Sequence, residues 1–169
     1  MASPVQECLE LVMYAISWDQ LQNLRNVLTY AQTENILRDL LQHRDPNGYT
    51  LIHFAVSKKK PRALEIVLAF ALTHRLLRDV LLSLDNNGFT ILHFAVFMGN
   101  SETVSILLVY AQSVGVLYQL RNVLGPGNLP IEYYARPNSE VLTVLNWPGF
   151  QCPAARSGTH VMTRPPRGS

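Results

Sequence analysis

Apolar positions along the chain fall into helical stripes separated by short polar stretches. After Lys60 they recur as Leu64, Val67, Leu68, Ala71 and Leu72, and then as Leu76, Leu77, Val80, Leu81 and Leu84. Steps of three and four residues place such a set along one side of an α-helix. Ahead of this stripe stand Asn47 and Gly48, a turn pair, because glycine enters the positive-φ region without steric cost. Thr50 follows at the N-cap of a short helix of roughly eight residues, its hydroxyl able to accept from a free backbone N–H. The pattern therefore predicts a turn, a short helix, a break and a long helix.

The whole pattern repeats. DPNGYTLIHFAV (Asp45 to Val56) returns 40 residues later as DNNGFTILHFAV (Asp85 to Val96). The step then carries Leu64 onto Val104, Val67 and Leu68 onto Leu107 and Leu108, Ala71 onto Ala111 and Leu77 onto Leu117. Backwards, it reaches Ala15, Leu24, Val27, Leu28, Ala31 and Leu37, a first unit without the turn motif. Forwards, LPIEYYA (Leu129 to Ala135) aligns with TILHFAV at a step of 39, and NSEVLTVL with NSETVSIL at 38, a worn closing unit. Such periodicity is the mark of a stacked solenoid. The expected units are about 5–44, 45–84, 85–124 and 125–146.

A motif reading D-x-x-G-x-T-x-L/I-H-x-A, followed by two antiparallel helices, resembles the ankyrin repeat, whose usual period is about 33 residues. The resemblance covers Val5 to about Asn146 and implies an all-α solenoid of about four helix-pair units with degenerate ends. Leu51 and Ile91 replace the proline usual in that motif. The longer period is expected to lengthen the second helix by about two turns. Enlarged repeats of this kind, and the stretch VYAQSVGVLYQLRN (Val109 to Asn122), are similar to those of the inhibitor-of-kappa-B family and the ankyrin halves of NF-kappa-B precursors. The chain departs from those inhibitors in having fewer units and no DSGxxS phosphorylation signal.

Composition sharpens this picture. Charged residues make up 15% of the chain, against roughly 25% in soluble proteins generally, as expected where helices bury two sides between neighbours. The net charge of +2 excludes a histone-like wrapper or an acidic solvating tail. Arg156, Arg164 and Arg167 lie after residue 146 with no acid and with four of the ten prolines, so 147–169 is expected to be a disordered basic tail. Two cysteines, Cys8 and Cys152, far apart and without metal-ligand spacing, fit a reduced compartment. With no basic segment leading into an apolar run at the N-terminus, a cytoplasmic or nuclear location is expected. The uncharged stretch Thr103 to Leu120 has the minimum length of a membrane span, but it holds Ser105, Gln112, Ser113 and Gln119 and aligns with charged Arg75, Arg78 and Asp79.

Candidate chemistry is sparse. His53 and His93 each follow a threonine by three residues, and the resemblance implies a structural hydrogen-bond tie between neighbouring units. Leu124 to Asn128 is rich in glycine but lacks the Lys-Ser/Thr ending of a phosphate loop. No nucleophile, base and oxyanion arrangement is visible, so neither catalysis, cofactor nor metal is expected. In ankyrin arrays, partners meet the turn tips and the exposed flank of the short helices on a concave face. Carried onto this chain, the resemblance selects Tyr49 and Phe89 on the turns, Ser57 and Lys58 on one helix, Phe97 and Met98 on the next, and Trp18 at the equivalent place in the first unit. Aromatics and methionine are enriched in interface cores. The run Lys58, Lys59, Lys60 and Arg62 is a basic contact or an import signal, or else a solvated loop.

The function expected is a non-catalytic protein-protein interaction module, in its sharpest form an IκB-like inhibitor of a Rel-type (NF-kappa-B) transcription factor. A generic adaptor or a pathogen or symbiont effector is the alternative, with nucleic-acid or anionic-membrane binding behind it. The protein alone is expected to be monomeric.

Overall fold

Each full unit opens on a turn closed by its own aspartate. Asp45 Oδ1 accepts the N–H groups of Asn47 at 2.8 Å and Tyr49 at 2.9 Å, and Asp85 Oδ1 those of Asn87 at 2.8 Å and Phe89 at 3.0 Å. Gly48 and Gly88 turn the chain at φ 83°. At Gly48 the reason is also spatial, because a Cβ would lie 2.7 Å from the backbone nitrogen of Asn86. That close approach links turn to turn: Asn86 donates its N–H to the Asn47 carbonyl at 3.2 Å and its amide to the Pro46 carbonyl at 2.7 Å.

The computed structural model describes residues 2–137 and 139–150. The first unit comprises α1 (Pro4–Ser17), α2 (Leu21–Thr33) and α3 (Leu37–Gln42). The second has α4 (Leu51–Ser57), α5 (Pro61–Thr73) and α6 (Leu77–Leu82), and the third α7 (Ile91–Met98), α8 (Ser101–Ser113) and α9 (Leu117–Asn122). A 3-10 helix (Ile131–Tyr134) and α10 (Glu140–Leu145) follow, then a 3-10 turn at Pro148–Phe150. Among the described residues the only β pairing is two isolated bridges, Leu84 with Thr90 and Gly125 with Leu129.

Where a longer second helix was expected, each of the first three units has a separate third one. The long helix stops at a left-handed residue, Asn35 (φ 60°), Arg75 (φ 58°) or Gly115 (φ 71°). The next N–H reaches back five residues, Ile36 to Ala31, Leu76 to Ala71 and Val116 to Ala111, at 2.8–2.9 Å. This is the hydrogen-bond pattern of a Schellman C-cap. It lets Leu76, Leu77, Val80 and Leu81 turn back onto the stack. The break before the long helix is made alike, with Asp19, Lys59 and Gly99 left-handed. Gln20 and Lys60 there bond back to the carbonyls of Ala15 and Ala55.

Equivalent helices of successive units pack on one another, α1 on α4 on α7 and α2 on α5 on α8. They enclose one continuous apolar core from Cys8 to Phe150. Ala15, Ala55 and Ala95 are buried within it. The uncharged stretch Thr103 to Leu120 is split between α8 and α9. Among the described residues, no helix is long and apolar enough to cross a membrane.

In the closing unit the period of 40 persists through the turn, in place of the expected 39. Gly125 N–H bonds the Leu129 carbonyl as Asp85 bonds that of Phe89, and Asn128 (φ 58°) takes the place of Gly88. Packing also continues past the expected boundary at 146. Phe150 is buried, and Arg121 donates to its carbonyl at 3.0 Å while pairing with Glu132 at 3.2 Å. The remainder of the proposed tail, 151–169, and Cys152 with it, lie outside the described residues.

Candidate functional site

Thr50 and Thr90 cap α4 and α7 as the pattern predicts, each with its histidine. The Thr50 N–H donates to His53 Nδ1 at 3.1 Å, and the Thr50 hydroxyl lies 3.0 Å from the same nitrogen. The Thr90 hydroxyl lies 2.8 Å from His93 Nδ1. A ring nitrogen that accepts a backbone N–H carries no proton, so the imidazoles are neutral. Burial pushes His53 down to about 4, against the nearby Asp85 carboxylate. Burial also lowers His93, against the opposing pull of the Val123 backbone, Asp85 and Glu132. These Thr/His bonds lie within one unit rather than tying two. Contacts between the rings reach the neighbour instead.

Tyr49 stacks on His53 with centroids 5.2 Å apart, and Phe94 of the next unit meets both, at 5.2 Å and 5.3 Å. One unit on, Phe89 and His93 meet Tyr134 edge-on at 5.1 Å and 5.5 Å. Tyr49 and Phe89, expected on the partner surface, are thus half-buried and committed largely to junctions between units.

The junction before these differs. At the step of 40, Leu9 and Met13 stand where Tyr49 and His53 stand, facing Phe54. With no ring at Leu9, an open hollow of about 210 Å³ remains. Leu9, Met13, Tyr49, His53, Phe54 and Phe94 line its apolar wall, and Ser57 its edge.

Of the other expected site residues, Trp18 and Phe97 project freely, 69% and 66% exposed, at the ends of α1 and α7. Met98 is half-buried against the core. Ser57 bonds the Phe54 carbonyl at 2.8 Å. Lys58 is exposed, its Nζ 5.3 Å from the centre of the Phe54 ring. Lys58 ends α4, Lys59 is left-handed, and Lys60 and Pro61 start α5. Among the described residues the one ion pair is Arg121 with Glu132, so the basic run is not neutralised by a bridge.

The structure therefore gathers Tyr49 and Ser57 around the hollow, with Lys58 at its rim, and leaves Trp18, Phe97 and Met98 along the same row of helix ends. Sequence reasoning passed over Leu9, Met13, Phe54 and Phe94, and also Tyr14, whose ring lies 6.3 Å from Trp18. A signal for part of this set was present: Tyr14, Phe54, Phe94 and Tyr134 place an aromatic at the same position of all four units.

A family model for ankyrin repeats, in three copies, matches residues 5–117. It takes in the degenerate first unit. Comparison with curated protein sequences finds no significant match. Among solved structures, the chain is similar to the ankyrin repeat domain of Bcl-3, described as a unique member of the IκB protein family. The two are 13% identical over 80% of this chain and 97% of that one, with a TM-score of 0.24. So low a score carries no argument about partner.

Proposed function

We propose, from the premise that this chain belongs to the ankyrin-repeat family and is a protein-protein interaction module, that it engages its partner along the row of short-helix ends. The observation that carries this reading is the exposure of Trp18 and Phe97 at the ends of α1 and α7, with Lys58 at the end of α4 between them. Large aromatic side chains held on rigid helices lose little entropy on binding and often carry a disproportionate share of the energy. The remaining site residues, Tyr49, Ser57, Phe89 and Met98, would support that surface from below. The family fold acts by occupying a partner's surface and not by catalysis.

In its sharpest form the partner is a Rel-type transcription factor, which the module holds off DNA or in the cytoplasm as an IκB-like inhibitor. The support is the enlarged 40-residue repeat and the Val109 to Asn122 stretch. A DNA-binding surface is basic, and like charges repel across an interface, so the basic run is a poor electrostatic match for such a factor's DNA-binding face. The same repulsion favours the adaptor as the second reading. Titration of a purified Rel-homology domain against the wild-type chain and the Trp18→Ala/Phe97→Ala variant tests it. Binding weakened at least tenfold with an unchanged melting temperature is expected. No binding by the wild type removes the Rel reading, and a partner held equally well by both forms removes the row as its site.

A further inference from the structure

The hollow at the first junction and the basic run beside it share one helix. Phe54 and Ser57 line the hollow from α4, Lys58 follows at once, and its ammonium group stands over the Phe54 ring. An apolar cavity of about 150 Å³ takes up a benzene, so a hollow of about 210 Å³ has room for one leucine or phenylalanine side chain. Its one acidic wall residue, Asp45, directs Oδ1 to the backbone amides of its own turn. Lys58 follows the hollow's Ser57 in the chain and begins the basic run, in which Lys58, Lys59 and Arg62 are exposed and Lys60 half-buried, a run with no bridging carboxylate among the described residues. Acids at neighbouring repeat positions are Asp19 in the first unit, at the place equivalent to Lys59, Glu102 in the third, at the place equivalent to Arg62, and Glu65 one turn after Arg62. At the later junctions Phe94 and Tyr134 meet ring partners, and the stretch equivalent to the basic run, Phe97 to Ser101, is uncharged.

We propose that this site takes an acidic protein segment bearing one bulky apolar side chain, which enters the hollow while flanking carboxylates lie over Lys58, Lys59, Lys60 and Arg62. The assignment rests on the reading of the chain as a protein-binding module and names the chemistry of what it binds. Apolar burial supplies the anchor. Charge complementarity supplies orientation and a fast, salt-dependent encounter.

The test uses the full chain and a panel of fluorescein-labelled nine-residue peptides, each with a central Leu, Phe or Trp flanked by Asp and Glu. Fluorescence anisotropy is expected to show binding by at least one of them, weakening as salt rises. The Lys58→Gln/Lys59→Gln/Lys60→Gln variant should bind at least tenfold more weakly. Serine in place of the central residue, or Ser57→Trp at the edge of the hollow, should abolish the preference for an apolar anchor, with thermal melts showing each variant folded. Failure of every peptide to bind, or equal binding of peptides with lysine replacing the acids, overturns the proposal. So does an oligonucleotide of equal charge that binds as tightly and is indifferent to Ser57→Trp, which would mark a general polyanion surface. A partner lost on Trp18→Ala/Phe97→Ala but untouched by the lysine changes overturns this inference alone and leaves the module reading standing.

Discussion

The junction between α1 and α4 and that between α4 and α7 use the same repeat positions with different side chains. In the later one, Tyr49, His53 and Phe94 meet ring to ring. In the earlier one, Leu9 and Met13 face Phe54 and leave space. An aliphatic chain of the same reach as a ring fills less area, so the stack is open where it has lost the turn motif and closed where the motif is kept. The same contrast runs along the outer side of the first unit. Leu51 is 2% exposed beneath its neighbour, whereas its equivalent Leu11, with no unit before it among the described residues, is 55% exposed.

That contrast can be broken most sharply at the leucines. Leu51→Ala should cost about 2–5 kcal/mol through lost burial and a cavity, and Leu11→Ala no more than about 0.5 kcal/mol, read as denaturation midpoints of the two variants. A matching loss at both sites would show the first unit to be covered.

Acid should act next, and on the His-bearing junctions alone. Unfolded histidine titrates near 6.5, and His53 in the fold near 4, so the unfolded chain binds the proton first as pH falls. Stability is then fully present above about pH 6.5 and declines towards pH 4, by about 3 kcal/mol for a shift of this size. Melting temperatures across that range give the slope. His53→Gln, which has no proton to take up, should reduce it and leave the part that comes from the also lowered His93.

Phe94→Ala should cost about 2 kcal/mol by removing the ring that bridges Tyr49 and His53. Tyr14→Ala, at the same repeat position but 56% exposed, should stay within about 0.5 kcal/mol. The smallest effect is expected for Trp18→Ala/Phe97→Ala, whose side chains project into solvent: a melting temperature within a degree or two of wild type, since surface changes are usually within about 0.5 kcal/mol. A larger drop would show that these rings support the fold.

Much of the fold is legible in the sequence because the repeat declares it. Asp45 and Asp85, the two glycines and the two threonines specify turn and cap through local hydrogen bonds, and local bonds need only neighbouring residues. The third helices were not legible. Their starting bend falls on Asn35, Arg75 and Gly115, where glycine and asparagine suit positive φ but arginine does not, while the apolar stripe runs on unbroken through Leu76 and Leu77. The exposure of the residues proposed to meet a partner was half legible. Trp18 and Phe97 stand free as the repeat geometry places them, but whether Tyr49 and Phe89 face solvent depends on Phe94 and Tyr134, about 40 residues away.

What the sequence by itself determined is the repeat, its period of 40 up to the closing turn, the capped short helices and the polar turns, all consequences of side chains acting on their own backbone. Only the tertiary structure decided that the extra length folds back as a separate helix, that the aromatic turns are spent on the junctions, and that a hollow remains at Leu9 and Met13 with Lys58 over its Phe54 ring. Those outcomes depend on which side chains of one unit meet which of the next, and on how much volume they fill when they do.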